Sequence, residues 1–295
     1  MKKLPLPFLC VLMGLAGCSE VAAPVDRNSQ MASDAGAAER PQRIVSLNLC
    51  VDQLLLALAD RDQIAGLTRN ARDPEMSAAA SEVKDLRILG NAAEEILDID
   101  PDLVMGMPAR RSAAMGALAG RGYPSMDLQT ARNLDDIYAS IHAAAQAVGY
   151  ADRGQALVQK MMDGMEALPS PGRGRVAAFY QRRGFMTGTG TLIDDLMNRA
   201  GLVNLASQLD KPALAQLSIE EMAAAQPDFI ILESSTARIS DQGSEMLHHP
   251  ALRHIPRIFL PHAWTVCGGP TYVDAARSLV QQISEHDRAE SIGHR

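Results

Sequence analysis

Short apolar runs with the residue preferences of β-strands alternate with segments of helical spacing over most of the chain. The run RIVSLN (43–48) precedes VDQLLLALAD (51–60), whose apolar residues recur at helical intervals. Further strand-like runs are QIAGLT (63–68), LVMGM (103–107), YPSMDL (123–128), RVAAFY (175–180), DFIILES (228–234) and RIFLP (257–261). Strands separated by helices form βα units around a mainly parallel sheet. The alternation therefore predicts an α/β fold.

Residues 133–170 interrupt the alternation, because they contain apolar residues at helical spacing and no strand-like run. Asn133, with Asp136 three residues later, is typical of a helix start. Gly149 predicts a break between two helices in this segment. The pattern predicts an N-terminal α/β lobe (43–132), a helical connector (133–170) and a C-terminal α/β lobe (171–295).

A similar sequence element occurs in both predicted lobes. AEEILDIDPDLVMGM (93–107) and IEEMAAAQPDFIILE (219–233) each contain Glu-Glu, a short helical stretch, Pro-Asp and an apolar run. A helix followed by Pro-Asp and a strand can recur by chance in any α/β protein. The spacing from Glu94 to Pro101 equals that from Glu220 to Pro227, which favours two related lobes with a binding cleft between them.

The N-terminus has the features of an export signal. Two lysines precede about a dozen apolar residues, too few to span a bilayer as a stable helix. Leu15-Ala16-Gly17-Cys18 resembles a bacterial lipobox, in which the cysteine is acylated; a plain secretory signal with an incidental cysteine is the alternative. We expect a signal peptide (1–17), lipidation at Cys18, a flexible tether (18–42) rich in Ala, Ser and Asp, and a periplasmic, membrane-anchored lipoprotein.

The charge and the cysteines limit the partners of the exported chain. Without Lys2 and Lys3, 26 basic residues remain against 35 acidic ones, a net charge of −9. This charge disfavours nucleic acid as a partner. Cys50 and Cys267 remain in an oxidising compartment, where they can form a disulfide, stay as two thiols or act as soft metal ligands. Sequence spacing does not decide among these alternatives.

The order of the motifs resembles one family. The lipobox, QRIVSLN, DQIAGLT, the two Glu-x6-Pro-Asp elements, the helical connector and LPHAW…GGP together resemble the periplasmic substrate-binding proteins of ABC importers for iron–siderophore complexes, haem and cobalamin. The resemblance implies two Rossmann-like lobes joined by one long rigid helix, with little hinge motion. It also implies a ligand cleft between the lobes and delivery of the ligand to a membrane permease dimer.

The resemblance assigns a role to one glutamate in each lobe. In this family such a glutamate docks to arginines of the permease, and the spacing carries this role to Glu94 and Glu220. Glu95 and Glu221 are the adjacent alternatives. Ordinary capping is the competing explanation, because a carboxylate in the first turn of a helix also complements the helix dipole.

Residues that follow the predicted strands are the candidates for ligand binding, because ligands of open α/β sheets sit at the carboxyl ends of strands. These candidates are Asn48, Cys50, Arg69, Arg72, Arg110, Arg111, Gln181, Arg182, Arg183, His262, Trp264 and Cys267. They lie in the five loops after RIVSLN, QIAGLT, LVMGM, RVAAFY and RIFLP, and three of these loops carry paired or near-paired arginines in an acidic protein. Arginine suits bidentate capture of oxyanions, so we expect an anionic iron chelate, a siderophore complex or haem.

Cobalamin is the alternative ligand, since it is nearly neutral and would need aromatic contacts. Trp264, Tyr180, Phe185 and Tyr272 are the aromatic residues available for it. The segment NLCVDQ (48–53) departs from the commoner family pattern, Ser-Pro followed by Thr-Glu, and this departure leaves the identity of the ligand open.

Other functional classes find less support in the sequence. HHPALRH (248–254) brings three histidines close together, but its pattern is typical of an ordinary loop, so we expect no metal site and no cofactor. The glycine-rich GFMTGTGTLIDD (184–195) precedes a helix, yet it has neither a P-loop nor a dinucleotide fingerprint. No Gly-x-Ser-x-Gly elbow and no nucleophile–base pair is apparent, so the chain is not expected to be an enzyme. A lipid-anchored sensor that binds ligand without transport is a further alternative.

Overall fold

The computed structural model of the chain describes residues 40–90, 92–108, 112–118 and 120–293. The first sheet has five strands in the order β3-β2-β1-β4-β5, in which every pair is parallel, and we call its region, from β1 to β5, lobe 1. Its elements are β1 (Ile44–Ser46), α1 (Leu49–Leu58), β2 (Ile64–Thr68), β3 (Ile88–Leu89), α2 (Ala93–Ile99), β4 (Leu103–Gly106), α3 (Ala113–Ala117) and β5 (Ser125–Asp127).

The second sheet has six strands in the order β11-β10-β6-β7-β9, with β8 paired to β6, and we call its region, from β6 to the last described residue, lobe 2. Its elements are β6 (Val176–Tyr180), β7 (Phe185–Thr187), α6 (Leu192–Arg199), β8 (Val203–Asn204), α7 (Leu205–Gln208), β9 (Leu214–Gln216), α8 (Ile219–Ala225), β10 (Phe229–Glu233), α9 (Gln242–Glu245), β11 (Arg257–Leu260), α10 (His262–Thr265) and α11 (Tyr272–Gly293). The two sheets confirm the predicted α/β fold.

The strands that the sequence does not predict are short. β7 is antiparallel to β6 and to β9, so this part of lobe 2 departs from the parallel pattern. A tight turn between β6 and β7 makes the reversal, with positive φ at Arg183 (62°) and Gly184 (79°). Arginine seldom adopts such a backbone, and therefore the turn carries no clear signal in the sequence.

Two antiparallel helices, α4 (Leu134–Ala147) and α5 (Ala151–Glu166), connect the lobes. Asn133 caps α4 by accepting the N–H of Asp136 at 2.8 Å, as its position predicts. Gly149 (φ 85°) makes the turn between the helices. Each helix contacts both lobes, and α5, at 16 residues, is about 24 Å long. The family's single long helix corresponds here to a helical hairpin.

Contacts at the ends of α4 and α5 show how the hairpin spans the two lobes. The N–H of Leu134 donates to Asp195 on α6 of lobe 2 at 3.2 Å. At the opposite end of α4, the O of Val148 accepts from Gln63 Nε2 of lobe 1 at 3.1 Å. The start of α5 binds lobe 1 through Arg153, which pairs with Asp60 at 2.7 Å.

One apolar core continues from lobe 1 through the hairpin into lobe 2. Ile44 of β1, Ile137 and Ile141 of α4 and Phe229 of β10 belong to this cluster, and each is at least 99% buried. Alternate strand residues face two smaller clusters on the outer faces of the sheets, as Val45 does in lobe 1. A continuous, close-packed core stabilises one arrangement of the lobes.

The repeated sequence has the same structure in both lobes. α2 and α8 both have seven residues, and each ends at a residue with left-handed backbone, Asp100 (φ 48°) and Gln226 (φ 46°). Pro-Asp and a buried parallel strand follow in each case. These matching elements support two structurally related lobes.

The predicted signal peptide, Cys18 and nearly all of the predicted tether lie outside the described residues. Across the described part of the chain, no helix combines the length and the apolarity required to cross a bilayer.

Candidate ligand-binding cleft

The disulfide brings together residues that follow strands of the two sheets, and we call the region between the carboxyl edges of these sheets the cleft. Cys50, in the first turn after β1, is bonded to Cys267, which follows α10 in lobe 2. The hydrogen bond with Glu233 and, to a smaller extent, the charge of Glu75 in lobe 1 raise the pKa of His262 at the start of α10. Cys50 and Cys267 both follow parallel strands, at the end of the sheet where α/β proteins bind ligands.

The disulfide between Cys50 and Cys267 ties the lobes together beside the hairpin. Its Cα atoms are 5.3 Å apart, and 217 residues separate the two cysteines in sequence. Gly268, the next residue, packs closely against Ala131 and Ile137, so this side of the cleft adjoins α4. Because both sulfurs are in the disulfide, neither is a thiolate ligand for a metal.

In lobe 1, the residues between β1 and α1 make the wall of the cleft. Asn48 accepts the N–H of Val51 at 3.0 Å and thus caps α1. Asp52 is fully buried behind it and accepts both the N–H (3.1 Å) and the hydroxyl of Thr68, at the end of β2. Burial raises the pKa of Asp52 to about 6, although hydrogen bonds from Ser46 and Thr68 oppose the shift.

The arginines predicted to bind the ligand differ in whether a carboxylate already pairs with them. Arg69 and Arg72 are exposed in the turn after β2, and the only described bond of their guanidinium groups is Arg69 to the O of Gly90 at 3.5 Å. Arg182 forms an ion pair with Asp241, which neutralises its charge. Arg183 beside it is exposed and has no ion pair within the described residues. Arg110 and Arg111 lie outside the described residues.

Lobe 2 contributes a polar cluster that the sequence-based candidates only partly include. His262 Nδ1 lies 3.0 Å from Glu233 Oε1, and Gln181 Nε2 donates to the same oxygen at 3.3 Å. The hydrogen bond from His262 lowers the pKa of Glu233, and the same bond raises the pKa of His262. Glu233, Glu75 and Asp241 are absent from the predicted set. For Glu233, the available signal is a charged residue that ends a buried apolar strand.

The aromatic residues considered for cobalamin divide into two pairs. Tyr180 and Tyr272 are at least 98% buried, and their hydroxyls donate to the O of Leu217 (2.7 Å) and to Asp195. Both side chains belong to the core, so they are not available for the aromatic contacts that cobalamin would need. Trp264 is half-buried on α10, and Phe185 is 38% exposed at the start of β7.

Each lobe has a cavity lined by described residues at the carboxyl edge of its sheet. The lobe 2 cavity, about 350 Å³, is lined by Arg182, Arg183 and 241–243. The lobe 1 cavity, about 250 Å³, lies between the ends of β1 and β3 and the starts of α2 and α3. A third cavity, about 240 Å³, is lined by Leu196 and Val280 at the end of α5; it lies away from the strand ends and is mainly a gap in helix packing.

The glutamates of the repeated element have two different environments. Glu95 and Glu221 bind backbone groups at their own helix starts, where Glu221 accepts the N–H of Ser218 at 2.9 Å. That hydrogen bond lowers the pKa of Glu221. Glu94 and Glu220 are exposed and make no hydrogen bond or ion pair within the described residues. Both helices follow strands that run toward the cleft, so these two carboxylates lie at the carboxyl edges of the sheets.

The three clustered histidines make local contacts or none. His248 Nε2 lies 2.8 Å from the O of Thr236, and His249 Nδ1 accepts the N–H of Ala251 at 3.2 Å. No group of three or more His, Cys, Asp or Glu side chains with the geometry of a metal site occurs among the described residues.

Comparison with known proteins identifies the family. The sequence model of the family described as "Periplasmic binding protein" matches residues 44–257. The chain belongs to this family. This periplasmic binding protein has the fold of the apo haem-binding protein RhuT from Roseiflexus sp. RS-1, with 24% identity, a TM-score of 0.65, and 82% of this chain and 99% of that one covered. The predicted family is thereby confirmed.

Two other relatives are named for cobalamin, which is vitamin B12, and not for haem. The vitamin B12 binding protein BtuF of Vibrio cholerae is 20% identical, with a TM-score of 0.60 over 83% of this chain and 97% of that one. A curated cobalamin-binding protein of Halobacterium salinarum is 22% identical over 213 residues, 70% of this chain. The match covers 58% of that relative, so this periplasmic binding protein spans less than two thirds of its length. The family and these relatives are described as binding proteins.

Proposed function

We propose that this periplasmic binding protein is the solute receptor of an ABC import system and docks on a permease dimer through Glu94 and Glu220. The observation that carries the proposal is the division of labour between adjacent glutamates. In each lobe the second glutamate is occupied at the helix start, whereas the first is exposed at the edge of the cleft. A matched pair of exposed charges is suited to orient a protein on a two-fold partner and to raise the association rate.

The ligand that we propose is an anionic iron chelate, a siderophore complex or haem, bound between the lobes. Arg69 and Arg72 on lobe 1 and Arg183 on lobe 2 support this choice, because their guanidinium groups are exposed and carry no ion pair within the described residues. Such groups bind carboxylates and other oxyanions well. Arg182 supports it less, since Asp241 already neutralises its charge.

Cobalamin is the second candidate, and the names of two relatives favour it. The burial of Tyr180 and Tyr272 counts against cobalamin. Of the four aromatic residues considered, this leaves Trp264 and Phe185 to contact the ligand. The two ligand classes therefore make different predictions for binding.

Binding experiments with the purified protein test the ligand class. Ferric haem, a ferric siderophore and cyanocobalamin are titrated separately, since visible absorption reports each complex. We expect tight binding of an anionic iron chelate, weakened when Arg69 and Arg72 are both changed to Gln. Tight binding of cobalamin alone would contradict the anionic-ligand proposal and support the second candidate.

An uptake experiment tests the docking role. Glu94→Arg combined with Glu220→Arg should abolish uptake through the cognate permease and leave ligand binding unchanged. Asp98→Arg is the matched control, because it reverses an exposed charge on the same helix, one turn away from Glu94. Uptake that survives the double reversal would refute docking through these residues.

Lipidation at Cys18 is part of the same proposal and would hold the receptor at a membrane on the periplasmic side. The lipobox-like LAGC motif supports it. Metabolic labelling with a fatty acid tests it: label should appear in the natural chain and disappear in Cys18→Ser.

A further inference from the structure

The disulfide between Cys50 and Cys267 links the two lobes directly. No hydrogen bond or ion pair among the described residues runs from lobe 1 to lobe 2, and those at the hairpin join it to one lobe at a time. Gln63 of lobe 1 meets the end of α4, for example, and Asp195 of lobe 2 meets its start. Without the disulfide, the lobes would be held together by the hairpin and by apolar packing.

The two cysteines belong to opposite walls of the cleft. Cys50 lies in the first turn of α1, two residues after Asn48, which caps that helix. Cys267 follows α10, which begins at His262 directly after β11 and Pro261. A displacement of Cys50 relative to Cys267 therefore moves the start of α1 relative to α10 and changes the width of the cleft.

The two cysteines differ in how closely they are packed. Cys267 is 3% exposed. The next residue, Gly268, passes so close to Ala131 and Ile137 that a Cβ on it would lie 2.5 Å from the Cβ of Ala131. Cys50 is partly exposed. A thiol that enters the cleft therefore reaches Cys50 more easily than Cys267.

The start of α1 favours a thiolate at Cys50. α1 has ten residues, and its dipole places partial positive charge at its N-terminal turn. The side chain of Asn48 accepts the N–H of Val51, whereas the N–H of Cys50 has no acceptor among the described residues. The carboxyl of Asp52 is directed to Thr68 behind the wall. Thiolates are stabilised at such helix starts.

We infer that the disulfide is a redox-sensitive clamp on the cleft, and that its reduction by a dithiol weakens ligand binding. The inference rests on the proposed function, since the clamp acts on the ligand held between the lobes. One thiolate of the reductant attacks Cys50 Sγ and breaks the bond to Cys267, which takes up a proton. The second thiolate of the reductant attacks the mixed disulfide, and Cys50 leaves as a thiolate. The protein gains two thiols, and the reductant is oxidised to its disulfide.

Reduction should weaken binding without unfolding either lobe. With the disulfide intact, the start of α1 and α10 are kept at one distance, so the ligand meets a preorganised cleft. After reduction, that arrangement is one of several. If it is populated about a tenth of the time, the apparent Kd rises about tenfold.

Titrations with ferric haem, a ferric siderophore and cyanocobalamin test the clamp. The natural protein is compared with a Cys50→Ser, Cys267→Ser double variant, both without reductant, because a reductant would also act on ferric iron. The double variant should bind the same probe as the natural protein, about tenfold more weakly. Gly269→Ala is the matched control, since it changes the same segment at a position where a Cβ meets no atom within 4 Å. Its affinity should equal that of the natural protein.

Hydrogen exchange without ligand separates a looser cleft from a loss of fold. The natural protein is measured before and after reduction with dithiothreitol. Exchange should become faster at the start of α1 and at 262–268, and should stay unchanged in β4 and β10. Faster exchange throughout both sheets would overturn the inference, because the disulfide would then hold the fold and not the cleft.

The outcomes distinguish this inference from the proposed function. Equal affinities of the natural protein and the double variant overturn the clamp and leave the transport function intact. A disulfide that dithiothreitol does not reduce in the folded protein has the same meaning. If the natural protein binds none of the three probes, the proposed function fails, and hydrogen exchange alone then decides the inference.

Discussion

The carboxylates of Asp102 and Asp228 make the same contact in the two lobes: each accepts a backbone N–H at the start of the strand beside its own. Asp102 accepts the N–H of Arg43 at 2.8 Å, and Asp228 accepts that of Val176 at 2.7 Å. The Pro-Asp pair that follows each helix is thus hydrogen-bonded to the start of the neighbouring strand. In the repeated element, the aspartate therefore stabilises the fold through a hydrogen bond, whereas the first glutamate is exposed.

Replacing Asp228 with Ala should destabilise lobe 2 by about 1–2 kcal/mol, because a backbone N–H loses a charged acceptor at a solvent-accessible site. Asp228→Asn keeps an acceptor and should cost less. Urea unfolding measures the difference. An Asp228→Ala variant as stable as the natural protein would show that the contact contributes nothing.

Asp52 should make stability depend on pH. Its pKa is about 6 in the folded protein and 3.8 in an unfolded chain, so the folded state holds the proton more tightly. The contribution of Asp52 to the free energy of unfolding therefore falls as the pH rises from about 4 to about 6, and stays low above that range.

Asp52→Asn should remove this dependence while keeping an acceptor for Thr68. The stability of the variant relative to the natural protein should be greater at pH 8 than at pH 4.5, by about 2 kcal/mol. Urea unfolding at the two pH values measures it. A difference with the opposite sign would mean that Asp52 is ionised with a low pKa in the folded state.

The disulfide between Cys50 and Cys267 should contribute about 2–5 kcal/mol to stability, because it closes a loop of 217 residues in the unfolded chain. Reduction should lower the unfolding midpoint of the natural protein to that of a Cys50→Ser, Cys267→Ser double variant. The variant itself should be insensitive to reductant. Intact mass without reductant should be 2 Da below that of the dithiol, a difference set by two hydrogens.

The turn between α4 and α5 should tolerate no side chain at Gly149. A Cβ there would lie 2.5 Å from Cγ of Arg40, whose guanidinium packs on the Tyr150 ring at 4.4 Å. Gly149→Ala should therefore destabilise by more than the roughly 1–2 kcal/mol that a left-handed backbone costs alone. Gly174→Ala is the matched control, since Gly174 also has positive φ (76°) but open space around it. Equal losses of stability would exclude a role for the Arg40 contact.

The sequence predicts most of the sheets because buried parallel strands read as continuous apolar runs, as Ile44–Ser46 and Phe229–Glu233 do. It misses β7, because in the turn before this strand Arg183 adopts a left-handed backbone conformation that is rare for arginine. Helix starts follow from local hydrogen bonds, and Asn133 is predictable for that reason.

The site is less predictable because it depends on which strands are neighbours. Glu233 and His262 meet because β10 pairs with β11, and Gln181 joins them because β6 lies on the other side of β10. Tyr180 also follows the sequence pattern of a cleft residue, yet its side chain points into a core. Residue type identifies candidates, and strand order decides which of them share a surface.

The disulfide has a consequence for biosynthesis. A chain made from its N-terminus presents Cys50 long before Cys267, with 217 residues still to be added. Lobe 1 and the hairpin are synthesised before Cys267, so the thiol of Cys50 cannot form this disulfide until lobe 2 is nearly complete. The last stretch of the polypeptide, not the first, therefore sets the moment at which the disulfide joins the two lobes.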